Sequence, residues 1–218
     1  SIDLEFADVE TTNLELTSSF NLDPDLTAST SSAMEARVQT VINNYFTTTL
    51  QRFGGVFRRS NLLSLIDDLD TAVLNSKMSV KMQRALIPSI GSSLSYTVTF
   101  PATIAAPELD THTVTSTNFT FNSKACSIKN KLDTNKLEIV AAGGSVEVDN
   151  IGSYDAAKGT IDLVGFNPSA LLGSSILFSV VPANESTIRP LRNFILDVDT
   201  QRSTSSAILD FQNTAVTL

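Results

Sequence analysis

Few residues of this chain could do chemistry, and their spacing argues against most of it. The single histidine, His112, lies in Asp110-Thr-His-Thr. A zinc site needs three or four nitrogen, sulfur or oxygen ligands, and one histidine between threonines does not supply them. A nucleophilic triad would need a marked nucleophile and an orienting acid, and no local motif marks either. The single cysteine, Cys126, sits in the strand-like run Ala125-Cys-Ser-Ile and reads as a buried, inert thiol. Carboxylates cluster at Asp67, Asp68 and Asp70 and at Asp197 and Asp199, without the D-x-D-x-D-G spacing of a calcium loop. Gly54-Gly55 and Gly143-Gly144 fit no phosphate-binding pattern. Arg58-Arg59 could hold an anion, but adjacent arginines ahead of a helix more often brace a fold or meet a carboxylate on another protein. The expectation is no catalytic residue, no metal ligand, no cofactor and no enzyme activity.

The elements that carry these residues are legible from period and punctuation. Met34, Val38, Val41, Ile42, Tyr45 and Phe46, then Leu50 and Phe53, follow the i, i+3, i+4, i+7 spacing of an amphipathic helix. Ser32 and Glu35 read as its capping box, and Gly54-Gly55 as its stop. Ser60 reads as the N-cap of a second helix with Leu62, Leu63, Ile66 and Leu69 on its buried face. Asp67, Asp68 and Asp70 would then sit at a helix C-terminus, where the macrodipole disfavours them, so solvent or a basic partner is expected there. Met78, Val80 and Met82 alternate with polar residues from Lys77, a half-buried strand. Residues 1–20 read as extended, with Leu14, Leu16 and Ser18 alternating against Asn13, Glu15 and Thr17.

Beyond Pro88 and Gly91 helix periodicity disappears. Short β-rich runs at 96–100, 114–121, 137–140, 145–148, 160–164 and 176–181 are separated by turn signals. A further short strand is expected from Phe194 to Val198. The segment 200–218 has too few apolar residues to fold alone, and is expected to lie on another subunit or to fray. The fold class expected is α+β: a strand–helix–helix–strand module over 1–90, two helices on a small sheet, then a mostly antiparallel β module over 91–199 and an extended tail over 200–218.

Composition narrows the function. At 218 residues with 42% hydrophobic content the chain can bury a real core. No run of 18 apolar residues is present, so no membrane partner is expected. One cysteine excludes an intrachain disulfide framework and fits a reducing compartment. The net charge of −8 disfavours nucleic acid, whose affinity rests on phosphate neutralisation. Charge is uneven: residues 1–30 hold seven acidic and no basic residues, whereas 31–90 hold seven basic and four acidic. That asymmetry suits charge pairing within the fold or between subunits, or simply two unrelated solvated faces.

Two runs carry a resemblance. FGGVFRRSNLLSLIDD (Phe53–Asp68) and VLNSKMSVKMQR (Val73–Arg84) closely resemble the baseplate wedge protein of T-even-like contractile-tail phages. Ile151-Gly-Ser-Tyr-Asp-Ala-Ala-Lys-Gly-Thr-Ile-Asp-Leu, Phe166-Asn-Pro, Val180-Val-Pro-Ala-Asn184 and Pro190 to Asp199 are similar to further segments of that family, in the same order. The first module is similar, more distantly, to baseplate J-like proteins. Residues 1–30 and 201–218 offer no run that carries the resemblance. The resemblance implies the C-terminal portion of a longer structural subunit of the virion tail baseplate, assembled in the host cytoplasm. It implies pairing with a second copy, contact with other wedge subunits, and closure of a ring around the tail hub. The competing class is a receptor- or glycan-binding β module of a tail tip or fibre, and an enzyme is third.

A self-contact is expected near residues 45–70. Phe46 and Leu50 would form its apolar centre, and Arg52, Arg58, Arg59, Asp67 and Asp68 its charged rim.

Overall fold

A computed structural model of the chain describes residues 10–190 and 194–212. Residues 1–9, 191–193 and 213–218 lie outside it, including part of the acidic lead segment. In chain order the elements begin β1 (Glu10–Leu22), α1 (Ser31–Tyr45), β2 (Phe57–Arg58), α2 (Arg59–Asp67), β3 (Val73–Leu86), β4 (Leu94–Thr99), β5 (Val114–Ser116) and β6 (Phe119–Phe121). They continue with β7 (Lys124–Asn130), β8 (Lys136–Ala141), β9 (Val146–Asp155), β10 (Thr160–Phe166), β11 (Ala170–Leu171) and β12 (Ile176–Val180). The last three are β13 (Thr187–Ile188), β14 (Phe194–Val198) and β15 (Thr204–Leu209). The protein is α+β with strands predominating. Two compact units divide the chain: Ser1–Val80 with Glu185–Leu218, and Lys81–Asn184.

The first unit is built on β1. Its even-numbered residues from Thr12 to Leu22 are buried and its odd-numbered ones are not, the period of a strand with one face on a core. β14 pairs in parallel with Glu10–Leu14 and β15 in parallel with Thr17–Leu22. The segment 204–209 therefore pairs within its own chain, whereas its low apolar content predicts contact with another subunit or fraying. Polar contacts hold it there: Ser18 and Ser205 hydroxyls meet at 2.7 Å, and the Ser203 hydroxyl accepts from the Leu16 N–H at 3.0 Å.

α1 buries Met34, Val38, Ile42 and Tyr45, as its spacing requires. Its cap differs from expectation. Thr30, not Ser32, is the N-cap and accepts from the Ala33 N–H at 3.2 Å. Glu35 instead reaches β15, where its carboxylate accepts from the Ala207 N–H at 2.9 Å.

The α-helix also ends earlier than the glycines suggest. From Phe46 to Leu50 it widens into a π-helical turn, closed by the Gln51 N–H on the Phe46 carbonyl at 3.0 Å. Consecutive threonines explain the change. Thr47 and Thr48 turn their hydroxyls back onto the Asn43 and Asn44 carbonyls, the first at 3.1 Å and the second at 2.6 Å, competing with the regular ladder.

α2 buries Leu62 and Ile66, and Arg58 rather than Ser60 is its N-cap. Tyr45, Phe46 and Phe57 pack as a trio with ring centroids 6.0–6.3 Å apart.

Every strand pairing described in the second unit is antiparallel. The strand order is β3 (its end, Met82–Leu86), β12, β5, β7, β8, β9, β10, β4, with β6 on β7 and β11 on β6. Thr117-Asn118 splits the expected strand 114–121 into β5 and β6. Phe119 meets Phe166 edge-on at 5.2 Å in the interior. Gly152 on β9 is required by contact: a Cβ there would stand 2.0 Å from the Asp162 carbonyl oxygen of β10.

Candidate interaction surface

The residues expected to do no chemistry are occupied structurally. His112 sets Nδ1 2.7 Å from the Asn130 carbonyl oxygen, stapling its loop to the end of β7. Cys126 is fully buried, and that burial pushes its thiol above the usual range. Asp197 accepts from the Gln51 side chain at 2.8 Å and from the Val198 N–H at 2.7 Å. Asp199 caps a turn through the N–H groups of Gln201 and Arg202. Among the described residues, no group of three or more His, Cys, Asp or Glu could hold a metal ion. No described helix is long and apolar enough to cross a membrane.

The expected interface residues separate into two kinds. Phe46 and Leu50 have no exposure and belong to the interior of the first unit. This corrects their assignment as an apolar contact centre. A stripe read from sequence does not say whether its edge meets a second chain or a neighbouring strand, and here β14 packs against the π-helical turn. Phe53, expected on that same buried stripe, is instead 60% exposed, because the α-helix has ended before it.

The charged residues also divide. Arg59 is internal bracing: its guanidinium donates to the Met78 carbonyl at 3.2 Å, the Glu185 carboxylate at 3.3 Å and the Ser186 hydroxyl at 3.2 Å. Arg52 and Arg58 are exposed. Asp68 is exposed and accepts from the Ser64 hydroxyl at 3.4 Å, whereas Asp67 buries one carboxylate oxygen. Asp70 finds the basic partner its position calls for. Arg37 donates to it at 2.8 Å, and this bond, helped by the Ala72 N–H, holds its carboxyl below the usual carboxylate range. Among the charged and large apolar residues of this stretch, those at the surface are Arg52, Phe53, Arg58, Leu65 and Asp68. Leu65 went unnoticed because only the buried face of α2 was sought, although its place between Ser64 and Ile66 marks the opposite face.

The segment that carries this surface has a relative. Residues 14–85 match the family model described as baseplate structural protein gp6, C-terminal domain III. That family is the T4-like baseplate wedge protein, as the Phe53–Asp68 and Val73–Arg84 runs indicated. The match begins at Leu14, inside the stretch that offered no likeness, and takes in most of β1, both helices and nearly all of β3. The motifs from Ile151 to Asp199 lie outside it. No curated protein matches the chain.

One broad depression in the second unit is lined by Lys136, Ser153, Tyr154, Asp155 and Asp162. Its one aromatic ring does not face outward: Tyr154 is 1% exposed and donates its hydroxyl to the Ala105 carbonyl at 3.3 Å. A sugar-stacking platform is therefore absent from that depression.

Proposed function

We propose that the chain is a structural, non-catalytic subunit of a contractile phage tail baseplate. In this reading it works in the virion as a wedge component, meets a second copy of itself and other wedge subunits, and helps close a ring around the tail hub. The observation that carries the reading is the family match over 14–85, which spans most of β1, both helices and nearly all of β3. The occupied state of His112, Cys126, Asp197 and Asp199 agrees with a structural role.

The exposed residues Arg52, Phe53, Arg58, Leu65 and Asp68 are proposed as the first unit's contact with a different wedge subunit. Their mixture of apolar and charged side chains suits the core and rim of a protein contact. Exposed charge pairs add no more than about 1 kcal/mol each, so Phe53 and Leu65 should carry most of the affinity.

Protein analysis of purified tails from the virus encoding the chain tests the reading. The chain should be present in fixed ratio to the other baseplate proteins, and Phe53→Asp/Leu65→Asp should reduce its incorporation. A chain absent from tails would refute it.

A further inference from the structure

The second unit contains a surface that neither the family match nor the charged stretch accounts for. Residues 85–107 and 163–184 contain no Asp, Glu, Lys or Arg, in a chain with 38 such residues (15 basic and 23 acidic). The two runs are neighbours in the fold. Leu94 of β4 pairs with Phe166 of β10, the Gly91 N–H donates to the Pro168 carbonyl at 3.4 Å, and the Ser93 hydroxyl donates to the Gly165 carbonyl at 3.0 Å. The loop before β4 is pinned by its Ser89 N–H on the Tyr96 hydroxyl at 2.9 Å. Together the runs expose Ile87 (73%), Ile90 (48%), Leu94 (45%) and Val164 (67%). Water-facing aliphatic residues gathered in an uncharged region mark a contact surface.

The same region ends in an open strand. β4 is last in its strand order, paired only with β10 among the described residues. The Phe100 N–H donates to the Gly159 carbonyl at 2.8 Å, toward β10. By the alternation of an antiparallel strand, Ser95, Thr97 and Thr99 then aim their backbone groups the other way. No charge or proline, two of the devices by which edges are usually blunted, interrupts Ser95-Tyr-Thr-Val-Thr, and its pairing with β10 is regular from Tyr96 to Thr99, the register shifting between Leu163 and Phe166. The closest charged group on the paired strand is Asp162, whose carboxylate is taken by the Thr97 hydroxyl at 2.6 Å.

We propose that this edge and its aliphatic flank are where a second copy of the chain docks, β4 against β4 in antiparallel register about a two-fold axis. This rests on the self-association in the reading above and assigns its surface. Charge selects the occupant. A basic partner would gain little from a face so poor in charge, whereas two copies that each carry −8 repel least where acidic groups are fewest. An antiparallel edge is also self-complementary under a two-fold axis, as an isologous contact requires.

Sedimentation of the full chain tests this. Leu94→Glu/Val164→Glu places acidic groups on the contact and should weaken dimerisation at least about tenfold while leaving thermal unfolding unchanged. Leu65→Glu in the first unit should leave the dimer intact. Raising salt from about 0.05 to 0.5 M should hold or tighten the dimer, because it screens repulsion between like-charged copies. Thr97→Cys should crosslink to itself with a short thiol reagent, and the buried Cys126 should not compete. Dimerisation lost with Leu65→Glu but kept with Leu94→Glu/Val164→Glu would overturn the surface while sparing self-association. A wild-type chain monomeric at every concentration would overturn both.

Discussion

At β15 in the first unit, the Ala207 N–H meets the Glu35 carboxylate at 2.9 Å, and Gln39 of the same helix donates to the Ser205 hydroxyl at 3.0 Å. At β4 in the second unit, among the described residues, no side chain bonds the outward backbone groups in this way, and the one charged side chain on its partner strand, Asp162, is held by the Thr97 hydroxyl at 2.6 Å. An edge strand left bare is a template for another strand, and proteins that must stay apart cover it. The difference teaches where to look for a partner: the covered edge belongs to the fold, and the bare one is available to a second chain. The same division holds for side chains. Phe46 and Leu50 are hidden within the first unit, while Leu94 and Val164 face water in the second.

The largest effect expected is on the hidden side of that comparison. Phe46→Ala should cost about 3–5 kcal/mol of stability in denaturant unfolding, since it empties a fully buried site. Phe53→Ala should cost under about 0.5 kcal/mol. Equal losses would mean that the division between interior and contact residues in this stretch is misdrawn. Next, Gly152→Ala should destabilise the chain by about 2–4 kcal/mol, because the added methyl meets the β10 backbone and must push two strands apart. An unchanged midpoint would show that β9 and β10 do not approach so closely, and the platform behind β4 would need redrawing.

Smaller changes sharpen the comparison of edges. Glu35→Ala leaves the Ala207 N–H without its carboxylate and should cost about 1 kcal/mol. It should also make β15 resemble β4, seen as new association in Glu35→Ala/Leu94→Glu/Val164→Glu when its sedimentation is compared with Leu94→Glu/Val164→Glu. The least effect concerns Asp70, whose partly exposed pair with Arg37 should contribute about 0.5–1 kcal/mol. Its carboxyl is held low in the fold, so that stability is present above the unfolded value near 4 and is lost as pH falls through the folded value. Asp70→Asn should remove this part of the acid dependence, measured as unfolding midpoints at neutral and acid pH.

How much of this the sequence held varies by element. The β1 alternation, the α1 stripe from Met34 to Tyr45 and the Met78, Val80, Met82 strand are period signals and reappear as buried faces. The early end of α1 is not legible from Gly54-Gly55, because the hydroxyls of Thr47 and Thr48, six to seven residues before Gly54, decide it. The Thr30 cap was missed because Ser32 and Glu35 imitate a capping box while Glu35 is committed to β15, 172 residues away. No local pattern announces such a long-range bond. β15 was missed for a related reason: Thr204-Ser-Ser-Ala has little apolar content, and polar pairing with Ser18 and Gln39 holds it. For the contact surface, apolar periodicity located the core and could not distinguish core from contact. The uncharged runs were the better signal, and only β4–β10 pairing brings them together.

Electron cryo-microscopy of intact baseplates from the virus encoding the chain tests the account most directly. The account predicts this fold within the baseplate, with β4 of one copy hydrogen-bonded to β4 of another across a two-fold axis and Leu94 and Val164 buried between them. Baseplate density in which β4 faces solvent or a different protein would contradict the assigned contact, and baseplates lacking the fold would contradict the function itself.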